Sequence, residues 1–218
     1  FTSDRIGPAT ENMVAADFSY TIRTSSSTKL SFGIKGGFSS LDVDINKLDP
    51  ENSNDPLLTD VNRMAPVIGA GVYLHSDRWY VGISTPNFLE TEHYDDVQVS
   101  TATEKAHFYF IGGYVFNLSQ QVQFKPAVLA KAVTGAPMAL DLSANFLFNE
   151  RFTLGASYRL DAAVSALAGF QITDGLMLGY AYDYDTTELG NYNSGSHEIF
   201  LRFELGTRVL NTVNPRFF

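Results

Sequence analysis

The chain has 218 residues, no cysteine, a formal net charge of -9, 18% charged residues and 13% aromatics. That length suits one large domain. The acidic balance excludes a phosphate-binding nucleic-acid surface, and the lack of thiols excludes disulfides, zinc-thiolate sites and cysteine catalysis. A mean hydropathy of -0.06, with no apolar run near the roughly 18 residues of a membrane helix, excludes a helical membrane protein.

Modest hydropathy with many aromatics and glycines is instead what transmembrane barrels show. The lack of cysteine also suits an extracytoplasmic compartment. The first residue is Phe1, with neither a start Met nor a signal peptide. A barrel must be exported, so the expectation is a mature product or a fragment missing its N-terminal strands.

Residues 14–23 alternate Val14, Ala16, Phe18, Tyr20 and Ile22 against polar partners, and Ser25-Ser26-Ser27 forms a turn. Side chains on a strand alternate between two faces, so this pattern predicts a strand with one apolar face. Residues 29–41 repeat it with Leu30, Phe32, Ile34 and Phe38 against Ser31, Gly33, Lys35 and Gly37. Residues 42–64 carry Pro50, Asn52, Asn54 and Pro56 and read as a long polar loop. Residues 67–76 and 79–86 form a hairpin around Ser76-Asp77-Arg78, and an acid-rich loop spans residues 87–103.

A further hairpin joins residues 104–116 and 121–132. Next, Met138, Leu140, Leu142, Ala144, Phe146 and Phe148 alternate with Ala139, Asp141, Ser143, Asn145 and Leu147, a mostly polar face. After the turn Asn149-Glu150-Arg151, Phe152, Leu154, Ala156, Tyr158 and Leu160 alternate with Thr153, Gly155, Ser157, Arg159 and Asp161. About ten such residues, tilted, cross a bilayer. Strands at residues 163–172, 176–183 and 197–206 complete the series.

These are about eleven strands. Short turns near residues 26, 77, 118, 150 and 174 take turns with links near 53, 95, 135 and 190 that tend to be longer, although the link at Asp161 is tight. Short periplasmic turns alternating with longer extracellular loops are a property of outer-membrane barrels. Barrels of this kind use an even strand number, so the expectation is an all-β, transmembrane antiparallel β-barrel of about fourteen strands when complete. The chain would be one domain, with residues 207–218 as a periplasmic tail. Trp79, Phe116, Phe148 and Phe152 would form one aromatic girdle, and Tyr158, Tyr180, Tyr182, Tyr184 and Tyr192 the other. The alternative is a soluble β-sandwich whose aromatics fill a core.

If the apolar face meets lipid, the other face lines a lumen holding Lys35, Lys125, Lys131, Asp141, Asn145, Arg159, Asp183, Glu198, Arg202 and Glu204. Opposite charges on neighbouring strands tend to pair there, with Lys125 and Lys131 on the strand before Asp141. Such a face is a selectivity ring, a binding surface, or a set of wall-stiffening ion pairs. Asp42, Asp44, Asn46 and Asp49 resemble the start of a calcium loop, but Lys47 and Ser53 stand where the required Gly and Glu belong. His75, His93, His107 and His197 lack metal-ligand spacing. Ser196 beside His197 lacks a nucleophile context, and Asn117-Leu118-Ser119 falls in a tight turn. No cofactor, metal or catalytic residue is expected.

Several segments resemble the PorP/SprF family of Bacteroidota outer-membrane proteins. They are His75 through Ser84, Pro86-Asn87-Phe88-Leu89, Phe124-Lys125-Pro126, Lys131-Ala132-Val133, Gly135-Ala136-Pro137 and Asp141 through Arg151. Leu154 through Arg159, Gly179 through Tyr184, Gly195 through Glu198, Asn214 through Phe218 and Ile6-Gly7-Pro8 extend the likeness nearly end to end. Family members begin with a signal peptide and an Asn-Pro-Ala-Tyr-like stretch that this chain lacks. It resembles the C-terminal two thirds to three quarters of a member.

The resemblance implies a non-enzymatic role in type IX secretion. Cargo bearing C-terminal sorting domains would be exported or anchored at the surface, with gliding-motility adhesins among the cargo in some relatives. It also implies a periplasmic partner from the secretion machinery and residence in outer-membrane lipid. The expected contact surface is the acidic loops, with Asp42, Asp44, Asp49, Glu51, Asp55, Asp60, Glu90, Glu92, Asp95 and Asp96. Arg216, Phe217 and Phe218 mark a tail that folds back under the barrel or meets the periplasmic partner. A passive or selective channel is the alternative function.

Overall fold

The computed structural model describes residues 1–44, 61–89, 91–92 and 103–203. The strands are β1 (Thr2–Ile6), β2 (Ala9–Arg23), β3 (Lys29–Val43), β4 (Val61–His75), β5 (Trp79–Thr85), β6 (Thr91–Glu92), β7 (Thr103–Glu104) and β8 (His107–Tyr114). They continue with β9 (Phe116–Asn117), β10 (Val122–Val133), β11 (Ala139–Phe148), β12 (Phe152–Arg159), β13 (Ala163–Thr173), β14 (Leu176–Asp185) and β15 (Ser196–Phe203). No helix among the described residues is long and apolar enough to cross a membrane.

One antiparallel sheet follows the order β1-β2-β3-β4-β5-β8-β10-β11-β12-β13-β14-β15, so each strand lies beside its neighbour in sequence. β9 continues the line of β8 along β10, and β6 and β7 form a separate small ladder. Among the described residues the order holds twelve strands rather than about eleven. The addition is β1, whose residues Thr2-Ser3-Asp4-Arg5-Ile6 include one large apolar side chain and so carry no alternation. It folds back on β2 through Gly7, whose φ of 57° is the left-handed conformation open to glycine at little cost.

β2, β3 and β4 are each 15 residues long, about 50 Å at strand rise and well beyond a bilayer crossing. Their outer parts hold Thr10, Glu11, Asn12, Ser39, Ser40, Asn62 and Arg63, polar on both faces. Periodicity gives no signal there. Asp42 is therefore corrected from loop to β3, and Glu92 from loop to the short β6.

Cross-strand partners share a face, which fixes the polarity of the wall. One row runs Lys125, Asn145, Gly155, Leu167, Ala181 and Glu198 across β10 to β15. The adjacent row runs Phe124, Phe146, Leu154, Ala168, Tyr180 and Ile199. In the first row Lys125 is 5% and Asn145 9% exposed, whereas in the second Ile199 is 78% exposed. Phe18, Ile34, Phe38, Ile68 and Leu201 are exposed in the same way.

A soluble sandwich packs a second sheet on its apolar face, but no other layer covers this one among the described residues. An exposed apolar surface on this scale calls for lipid or a large partner. The polar face is concave. Tyr80 on β5 and Glu198 on β15 line one cavity of about 570 Å³, although six strands separate them in the order. At about 4.8 Å per strand a flat sheet would hold those two strands over 30 Å apart, so the sheet curls as a barrel wall does. Among the described residues, the edge strands β1 and β15 do not pair with each other.

Candidate functional site

The short turns at residues 24–28, 76–78, 118–121, 149–151 and 174–175 gather at one end of the wall, and the remaining connections at the other. Between them the concave face carries a rung of small, mostly polar side chains. Ala127, Ser143, Ser157, Ser165, Asp183 and Ser196 oppose one another in turn across β10 to β15. Short hydroxyl side chains let the sheet bend inward without filling the cavity. Asn145 Nδ2 donates to Ser143 Oγ at 3.5 Å, tying this rung to the next.

Asp141 lies opposite Leu129 on one side and Arg159 on the other. Arg159 Nε donates to Asp141 Oδ1 at 2.7 Å, and Nη2 to Oδ2 at 3.4 Å. The expected pairing of Asp141 with Lys125 or Lys131 is corrected. Strand register places Lys125 opposite Asn145 and Lys131 opposite Ala139. Lys131 Nζ instead lies 6.0 Å from the ring centre of Tyr109.

Lys35 pairs with Asp17 at 3.7 Å, directly across β2 and β3. Asp17 was readable from the sequence as a non-apolar position, but its partner required the register. Asp183, Glu198 and Arg202 share the concave face. Glu204 lies outside the described residues.

The long-loop end of the wall is acidic. Asp4 on β1 sits directly opposite Glu11 on β2, a like-charge arrangement that costs stability in a sheet. Ser39 Oγ donates to Glu11 Oε1 at 2.8 Å, and Asn62 Nδ2 donates to Asp42 Oδ2 at 3.3 Å. The Asp44 N–H reaches Pro8 O at 3.2 Å, which brings Asp44 to the β1–β2 turn. Asp49, Glu51, Asp55, Asp60, Glu90, Asp95, Asp96, Arg216, Phe217 and Phe218 lie outside the described residues, and of Glu92 only the backbone is described. Asp4 and Glu11 went unnoticed in the sequence because β1 was not legible as a strand.

The outward face carries the girdles. Rings of Tyr114, Phe116, Phe124, Phe146, Phe148 and Phe152 follow one another toward the short-turn end, with successive centres 4.6 to 6.4 Å apart. Toward the long-loop end, Tyr180 Oη and His197 Nδ1 are 2.6 Å apart, and Tyr182 Oη donates to Ser194 O at 2.8 Å. Tyrosine and tryptophan favour the wet borders of a membrane, where an apolar ring ends in a polar group.

The segment after β5 is pinned to β4. Asn87 Oδ1 accepts from the Ile68 and Leu89 N–H groups, and the Phe88 N–H donates to Ile68 O at 2.7 Å. Among the described residues no group of three His, Asp or Glu side chains could hold a metal ion.

The sequence model of a family described as "Type IX secretion system membrane protein PorP/SprF" matches residues 1–203. No curated protein matches the chain.

Proposed function

The chain belongs to the PorP/SprF family of type IX secretion system membrane proteins, and on that premise we propose that it is an outer-membrane barrel that binds secreted cargo. The observation that carries this reading is the acidic long-loop rim, above all the direct opposition of Asp4 and Glu11. A complementary basic partner relieves the repulsion of such a like-charge pair. The rim faces the cell exterior, and the cargo presents a basic patch of its C-terminal sorting domain. Asp42 and Asp44 join that surface, together with Asp49, Glu51, Asp55, Asp60, Glu90, Glu92, Asp95 and Asp96 of the two long connections. Gliding-motility adhesins are one such cargo class.

The protein performs no chemical step in this reading. Its inner charges stiffen the wall, while other secretion components meet the short-turn, periplasmic side. Residues 207–218, with Arg216, Phe217 and Phe218, form a tail that folds back under the barrel or contacts such a component.

Detergent extraction of the native protein, followed by affinity isolation and mass spectrometry, tests the proposal. Cargo carrying a C-terminal sorting domain should co-purify, and D4N/E11Q should reduce its recovery severalfold. Co-purifying cargo without such domains would overturn the reading. Steady single-channel current in a planar bilayer, with no cargo recovered, would favour the channel instead.

A further inference from the structure

The opposite end of β2 carries the reverse charge arrangement. Arg23, its last residue, sits directly opposite Lys29, the first residue of β3, and Lys29 sits opposite His75 at the end of β4. The series continues to Tyr80 on β5, which is 7% exposed and lines the concave cavity. Arg78 stands in the turn between His75 and Tyr80.

Two cations directly opposed on neighbouring strands repel each other. Among the described residues neither Arg23, Lys29 nor Arg78 makes an ion pair. Among the described residues 23–29 and 75–80, which make these strand ends and turns, the single acid is Asp77, beside Arg78. Elsewhere along the same strand a charge is matched: Asp17, six residues from Arg23, is 3.7 Å from Lys35. Repulsion is thus confined to the two ends of β2, acidic at one and basic at the other.

We propose that Arg23, Lys29 and Arg78 form a docking site at the short-turn mouth for an acidic polypeptide segment of a periplasmic partner. One observation favours a polypeptide over lipid headgroups. The partners Arg23, Lys29 and His75 share the face of cavity-lining Tyr80, whereas Ile22, Leu30 and Leu74 take the lipid-facing positions one residue away. Residues 207–218 carry Arg208 and Arg216 and no acidic side chain, so they do not supply the complementary charge. Charge complementarity then calls for an acidic segment delivered from the concave side.

The orientation rests on the outer-membrane reading above, but the binding chemistry does not. Failure here leaves cargo capture at the acidic rim untouched, and loss of cargo capture leaves this site untouched.

The test uses the full chain in zwitterionic lipid nanodiscs and a fluorescent hexaglutamate peptide, read by anisotropy. The expected result is binding at low salt that weakens at least about tenfold in R23Q/K29Q, the scale of losing one to two charge-assisted contacts. It should survive in R23K/K29R, remain unchanged in R5Q at the opposite rim, and fade as salt screens the charges. Heat-modifiable gel mobility reports folding. Should the double variant fail to fold, R23Q and K29Q alone give the reading. Peptide affinity equal in wild type and the glutamine variants would overturn the proposal. So would absence of peptide binding in zwitterionic discs together with Arg23- and Lys29-dependent binding of phosphatidylglycerol vesicles, which would assign the site to lipid.

Discussion

Arg159 and Asp141 face each other across β12 and β11 in a two-point contact, with 2.7 Å between Nε and Oδ1. The Asp141 side chain is 20% exposed and that of Arg159 54%, so the pair lies at the edge of the cavity rather than deep within it. An ion pair so hydrated contributes on the order of 1 kcal/mol. Its planar geometry fixes the Arg159 side chain more firmly than its energy fixes the fold.

D141N and R159Q should each lower stability by about 1 kcal/mol, and the double variant should lose less than the sum of the two. Urea unfolding in detergent or bilayers, arranged as a double-mutant cycle, measures this coupling. Additive losses would mean that the contact contributes no net coupling to stability.

The lipid-facing assignment predicts a sharp contrast between neighbours on β11. Leu142, 47% exposed on the outward face, should tolerate Arg poorly, at a cost of about 2–4 kcal/mol near mid-membrane. Ser143, one residue on and facing the cavity, should accept Arg at far smaller cost. Folding titrations of the two variants into lipid vesicles give the comparison.

Gly69 should be intolerant for a different reason. A β-carbon there would overlap the backbone oxygens of Thr85 and Pro86, where Asn87 pins the departing chain to Ile68. G69A must move backbone rather than a side chain, and a loss of about 1–3 kcal/mol is expected. N87A should loosen the same crossing and increase proteolytic nicking after Thr85. If G69A unfolds like the wild type, the close approach is not maintained.

The tail gives a fourth expectation. Deleting residues 211–218 should reduce barrel assembly or retention of periplasmic partners, read as heat-modifiable protein in membrane fractions. Normal assembly and secretion in that deletion would remove the tail from the account.

Much of this wall was legible because lipid on one side and polar residues on the other impose period two. Phe18, Ile34, Leu142 and Leu154 announced their face before any pairing was known. Where both faces are wet, as in β1 and the outer parts of β2 to β4, nothing alternates and the strands were invisible. Register was also hidden, since it comes from backbone hydrogen bonds and turn lengths rather than composition. That is why alternation alone leaves Asp141 among Lys125, Lys131 and Arg159, and why the opposed pairs Asp4 with Glu11 and Arg23 with Lys29 emerge only from the fold. The turn at Asn149 and Glu150, with φ of 49° and 56°, was readable in place but not in its left-handed conformation.

The inside-out wall itself can be tested most directly on β11. The chain has no cysteine, so each introduced Cys carries a unique nitroxide label. In reconstituted vesicles, labels at 142, 144 and 146 should collide with oxygen dissolved in lipid. Labels at 141, 143 and 145 should collide with a water-soluble nickel chelate. A clean period-two alternation in that phase is the predicted result; no alternation, or the opposite phase, would contradict a wall with lipid outside and a polar face within.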